Sequence, residues 1–149
     1  VGSEMCIRDR NEVARLLADA GVNIIQIGLK SEGPLLPHAK DWRDLGFRYT
    51  AAVISHCDAL ITHPGGIMHL AVACDVPCVA LFGGIENPIV SGHPQNENIT
   101  VPLDCAPCWR TKLCSKPRCL DLMTPQLIVK RTLDLINSKS TTKTAINQT

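Results

Sequence analysis

Cys57-Asp58-Ala59-Leu60-Ile61-Thr62-His63-Pro64-Gly65-Gly66-Ile67-Met68-His69-Leu70-Ala71-Val72-Ala73, followed by Val76-Pro77-Cys78-Val79-Ala80-Leu81-Phe82-Gly83-Gly84, is the stretch whose reading decides the fold. Asp58 to Thr62 reads as a short buried strand. Gly65 and Gly66 open a helix over Ile67 to Cys74, and its small residues Ala71, Ala73 and Cys74 let it lie close against a sheet. Pro77 starts the next strand. Cys78 to Phe82 is uninterrupted apolar sequence, as expected of a central parallel strand covered on both faces, and it stops at Gly83-Gly84. The order is that of a βαβ unit with a glycine loop after each strand.

Upstream, Val13, Leu16, Leu17 and Ala20 recur at helical spacing, with Asn11 placed to cap the start and Gly21 the end. Val22 to Leu29 is rich in β-branched residues and predicts a strand that runs into a loop punctuated by Gly28, Ser31, Gly33 and Pro34. Thr50 is placed to cap a short helix through about Cys57. Downstream, Asn98 to Val101 predicts a short strand, and Thr124 to Asn137 a helix with Leu127, Ile128, Arg131 and Leu135 near one stripe. This alternation predicts an α/β domain, a Rossmann-like doubly wound parallel sheet.

A chain of 149 residues that is 45% hydrophobic can bury one core and is short for two. With a net charge of +1 and scattered basic residues, it lacks the electrostatic footprint of a nucleic-acid binder. No apolar run approaches the roughly 20 residues that span a bilayer, and no secretory leader opens the chain, so a cytoplasmic protein is expected. Residues 1–10 fit no amphipathic period and read as a non-native or truncated leader. Residues 11–137 read as one domain, and 138–149, poor in apolar residues, as a disordered tail. The triplets at Asn98 and Asn147 would accept glycans only in a secretory pathway.

Of the eight cysteines, Cys6, Cys57, Cys74 and Cys78 lie in apolar or helical stretches, which favours reduced thiols. The others form Cys105-x2-Cys108-x5-Cys114-x4-Cys119, on what reads as a surface loop (105–119) held by Pro107 and Pro117. Structural zinc on four thiolates, a packed knot of thiols, and a disulfide on oxidation are all open; the second pair lacks the tight spacing of strong zinc signatures.

In an open parallel sheet, ligands bind at the carboxyl ends of the strands, where helices begin with unpaired amides and a positive dipole end. Two such places follow one another here: His63-Pro64-Gly65-Gly66, leading into Met68 and His69, and Phe82-Gly83-Gly84-Ile85-Glu86-Asn87. A diphosphate suits the first, and the two together could cradle one nucleotide. Against this, paired glycines serve as plain turn residues, and His69 or His63 could each be a core histidine bonded to a carbonyl. Neither loop has the dinucleotide-binding Gly-x-Gly-x-x-Gly pattern or the P-loop pattern, which counts against a dehydrogenase and a P-loop ATPase.

Read together, the blocks from Cys57 to Ala73 and Val76 to Gly84, with Asn23-Ile24-Ile25-Gln26-Ile27-Gly28 upstream and Cys105-Ala106-Pro107-Cys108-Trp109, Cys114 and Cys119 downstream, resemble the C-terminal domain of glycosyltransferase family nine, the heptosyltransferases. The resemblance covers roughly residues 11 to 137. It implies the C-terminal half of a GT-B glycosyltransferase, in which the nucleotide-sugar donor, typically ADP-heptose, binds mainly to this half. The acceptor, a lipopolysaccharide core or related glycan, would bind through an N-terminal domain that also supplies the catalytic base, so this stretch alone is expected to be inactive. It implies inverting transfer with no required cofactor, by a cytoplasmic protein that could lie at the inner membrane face. Carried over, Gly65, Gly66, Met68, His69 and Leu70 hold the donor diphosphate, and His69 stabilises the leaving group. Beside these, Gly83 and Gly84 of the second loop are candidate donor contacts, and Glu32 and Glu86-Asn87 are candidate ribose or sugar contacts or, on the plainer reading, ordinary exposed loop residues. One departure stands out: many members have Asp-Ser/Thr-Gly where this chain has Pro64-Gly65-Gly66. Two readings follow from it: a donor sugar other than the usual heptose, or a degenerate domain that has lost donor binding. A non-catalytic thiol- or zinc-binding module on a Rossmann-like scaffold is the alternative from another class.

Overall fold

The apolar run Cys78 to Phe82 becomes the central strand. A computed structural model describes residues 3–109, 114 and 118–146; Pro117, Asn147 and the side chains of 3–8 and 139–146 lie outside that description. The helices are α1 (Ser3–Asp19), α2 (Phe47–Ser55), α3 (Gly66–Ala73), α4 (Pro88–Ser91), α5 (Arg118–Asp121) and α6 (Pro125–Ile146). The strands are β1 (Ile24–Gln26), β2 (Ala39–Asp41), β3 (Leu60–Thr62), β4 (Cys78–Gly83) and β5 (Glu97–Thr100).

Side chains alternate across a strand, so β4 serves two layers at once. Cys78, Ala80 and Phe82 join Ile54 of α2, Met68, Leu70 and Ala71 of α3, and Val76 in one buried cluster. Val79 faces the other way, into a cluster with Val13 and Leu17 of α1, Ile99 of β5, Val101, Met123 and Ile128 of α6, against which Leu81 also packs. Helices thus cover both faces of parallel strands, as the sequence predicts.

The strands pair in two parallel groups, β1 with β2 and β3-β4-β5 in that order. Leu60 lies opposite Cys78 and Thr62 opposite Ala80, while Val79 lies opposite Glu97. An irregularity between Leu81 and Gly83 marks the end of the β4–β5 ladder, where Gly83 takes φ +63, a left-handed conformation that only glycine adopts freely. All three strands therefore end near one edge, with the two glycine loops leaving from it.

Several boundaries differ from expectation. Helix α1 begins at Ser3, so Asn11 lies inside it and does not cap it; no glycine or proline interrupts Ser3 to Asp19. Helix α6 runs past Asn137 to Ile146, again without a breaker, through much of the stretch read as a disordered tail. Thr50 is buried within α2, whose N-cap is Gly46. Its hydroxyl donates back to the Leu45 carbonyl at 3.4 Å. Strand β2 has no counterpart in the sequence reading: Ala39-Lys40-Asp41 is polar and mostly exposed, and only its pairing with β1 makes it a strand.

Candidate functional site

The first glycine loop opens α3 as the sequence predicts. Gly65, the N-cap, has φ 153 and ψ −170, a region essentially confined to glycine. No side chain caps the helix, and neither Gly65 nor Gly66 has a heavy atom within 4 Å of where a Cβ would stand. The first amide with an intrahelical partner is that of His69, which donates to the Gly65 carbonyl at 3.2 Å. The amides of Gly66, Ile67 and Met68 precede it at the positive end of the helix; Gly66 is exposed and Ile67 half-buried, whereas Met68 is fully buried, so only the first two amides lie toward the surface.

Met68 is fully buried, backbone included, and Leu70 is buried with it in the core, so both serve packing and neither presents a surface to a ligand. His69, between them, is exposed. It is not a core histidine bonded to a carbonyl: its Nδ1 lies 2.8 Å from Nε2 of His93. The two rings meet edge to face, centroids 5.1 Å apart at 75°. His93 carries no signal in the sequence beyond being a histidine in the loop after the second glycine pair. His63, by contrast, fits the structural reading. Burial holds its pKa below the ordinary 6.5, opposed by a hydrogen bond with the Leu81 backbone.

The second loop is more closely packed. Gly84 is buried, and a Cβ there would stand 3.0 Å from Cys119 Cβ and 3.5 Å from Ala106 Cβ. The Gly84 carbonyl accepts from the Cys108 amide at 2.9 Å, and that of Ile85 from the Trp109 amide at 3.1 Å. Gly84 is therefore the seat on which the cysteine-rich segment rests. Asn87 caps α4, its Oδ1 accepting from the Ile89 amide at 3.0 Å, and Glu86 accepts from the Ser91 hydroxyl at 2.6 Å. An open cleft of about 470 Å³ lies between Gly83, Glu86, Asn87 and Pro88 on one side and residues 100–104, Ala106 and Pro107 on the other. Gly83 and Glu86 thus line one cavity, and Gly65, Gly66 and His69 lie outside its lining.

Glu32 is exposed and folds back on its own loop, its Oε2 3.4 Å from the Leu29 amide. That loop is knitted by Gln26, whose Oε1 accepts from the Leu36 amide at 2.7 Å. Arg43 adds to this by donating to the Gly33 carbonyl at 2.8 Å and to both Asp41 oxygens.

Cys105, Cys108, Cys114 and Cys119 are free thiols, as are Cys57, Cys74 and Cys78. Among the described residues no three or more His, Cys, Asp or Glu side chains gather where they could hold a metal ion, so the four clustered cysteines are not brought together as a ligand set. Nor, among those residues, is any helix long and apolar enough to cross a membrane.

Fold and geometry define a Rossmann-like α/β domain with an uncapped helix N-terminus and a histidine pair near the carboxyl edge of its strands. Residues 44–118 match the family model of glycosyltransferase family 9 (heptosyltransferase), and the chain belongs to that family. It is 31% identical over 90 residues to lipooligosaccharide heptosyltransferase 2 of Campylobacter jejuni subsp. jejuni serotype O:2, a match over 57% of this chain and 28% of that protein. It is also similar in fold to the crystal structure of the glycosyl transferase family 9 from Veillonella parvula DSM 2008. There the TM-score is 0.61 at 19% identity, over 93% of this chain and 42% of that one. The chain thus spans well under half the length of either relative.

Proposed function

We propose that this chain is the donor-binding half of an inverting heptosyltransferase-like enzyme, which holds a nucleotide-diphosphate sugar such as ADP-heptose. The observation that carries the reading is the start of α3: the amides of Gly66 and Ile67 without intrahelical partners, no side-chain cap, glycines at 65 and 66 with open space over them, and an exposed His69 in the same turn. The diphosphate sits over these amides. As the glycosidic bond to it breaks, negative charge grows on the diphosphate while the anomeric carbon becomes oxocarbenium-like. Amides and an imidazole fixed in advance stabilise that charge without reorganising. The acceptor, a lipopolysaccharide core or related glycan, and the general base belong to another part of the enzyme, which works on the cytoplasmic side of the membrane. Pro64 stands where many members of the family carry an aspartate, so position 64 offers no carboxylate to the donor sugar.

Calorimetric titration of the chain with ADP, GDP and UDP tests this. Selective binding of one nucleotide, weakened by about 1–3 kcal/mol in His69→Ala, is the expected result for loss of a charge-assisted hydrogen bond. A folded chain that binds none of the three overturns the reading.

A further inference from the structure

His69 and His93 come from different elements, the first turn of α3 and the loop between α4 and β5. Their contact through Nδ1 and Nε2 at 2.8 Å needs one nitrogen with a proton and one with a lone pair, which couples the tautomers of the two rings. If His69 donates from Nδ1, its neutral ring presents a bare lone pair at Nε2, which repels an anionic oxygen. If His93 donates from Nε2, His69 presents an N–H there, which attracts one.

The loop that carries His93 is anchored to the rest of the domain. The His93 carbonyl accepts from Asn98 Nδ2 at 3.0 Å and from the Asn96 amide at 3.1 Å. Asn96 is buried, and its Oδ1 accepts from the Cys78 amide at the head of β4, also at 3.0 Å. Just before His93, a Cβ on Gly92 would fall 2.5 Å from the Pro88 carbonyl oxygen, so the chain turns closely against α4. A group held this way on the far side of an exposed imidazole can fix its ring orientation and tautomer, as outer-shell partners do for metal-binding histidines.

We propose that His93 is a positioning residue of the diphosphate site: it donates from Nε2 to His69 Nδ1 and fixes His69 in the tautomer that carries its proton on Nε2, toward the ligand. This rests on the reading of the α3 start as the donor site. Long-range proton–nitrogen NMR of the histidine-labelled chain tests the pairing without any ligand. In the neutral-ring spectrum, recorded at alkaline pH, His69 shows the Nε2–H pattern. His93→Phe averages that pattern, and His93→Gln, whose amide can still donate to Nδ1, restores it. ADP binding weakens roughly tenfold in His93→Phe, the scale of one lost orienting hydrogen bond, and recovers in His93→Gln. A wild-type spectrum with His69 protonated on Nδ1 overturns the proposal, whatever the binding result. So does unchanged ADP affinity in a folded His93→Phe variant whose parent loses affinity on His69→Ala. If the parent binds no nucleotide, the donor-site reading falls, and the spectrum still decides the pairing.

Discussion

Replacing Gly65 and Gly66 by alanine, one at a time, should move stability in opposite directions although the residues are adjacent. Neither new methyl group meets a heavy atom within 4 Å, so packing is taken out of the comparison and only the backbone decides. At Gly65 the φ of 153 and ψ of −170 are strained for any residue with a Cβ, at a cost of about 1–3 kcal/mol. Gly66 is the first residue of α3, where alanine fits and restricts the unfolded chain, a gain of about 0.4–1 kcal/mol. The two variants should therefore differ by about 1.4–4 kcal/mol in urea unfolding, at unchanged m-value, with midpoint temperatures apart by about 2–4 °C per kcal/mol. Gly66→Ala should at the same time weaken nucleotide binding, because its methyl occupies the space over the amides. Equal stability of the two variants, or a more stable Gly65→Ala, would refute the backbone argument.

Three further outcomes follow from packing and charge. Gly84→Ala should destabilise by about 1–3 kcal/mol through overpacking against Cys119 and Ala106, and speed hydrogen exchange at the Cys108 amide, which bonds to Gly84. Asn96→Ala should cost about 1–3 kcal/mol in chemical denaturation, since it strands the buried Cys78 amide; a neutral variant would show that another acceptor takes its place. Because burial lowers the pKa of His63 in the fold, the unfolded chain binds a proton more readily. Its contribution is therefore complete above the unfolded value of 6.5 and is lost as pH falls below it toward the lowered folded value. His63→Gln should flatten that limb of the stability curve, and an equally steep acid limb in the variant would count against it.

What could be read in the sequence is what local chemistry dictates. Cys78 to Phe82 is apolar on both faces because both faces are covered, and Gly65 sits at a conformation other residues avoid, so strand, loop and helix are all visible in the string. Strand β2 is not visible, because Ala39 to Asp41 owes its conformation to β1 and has no periodicity of its own. Thr50 has the residue type of a cap, yet the chain turns into α2 four residues earlier at Gly46. At the site, His69 stands out by its place in the first turn of α3, whereas His93 acquires meaning only from a contact across 24 positions. Gly84 reads as a ligand contact in the string, and only the fold brings Cys119 and Ala106 over it.

The two-sided burial of β4 bears on how the molecule comes apart. Its alternate residues belong to two apolar clusters, one with α2 and α3, the other with α1, β5 and α6. Neither cluster can open fully without exposing a face of the same strand, so the two cannot melt independently. Cooperative, all-or-none unfolding is the expected behaviour, with the amides of β4 the last to exchange with solvent and exchanging only through global opening.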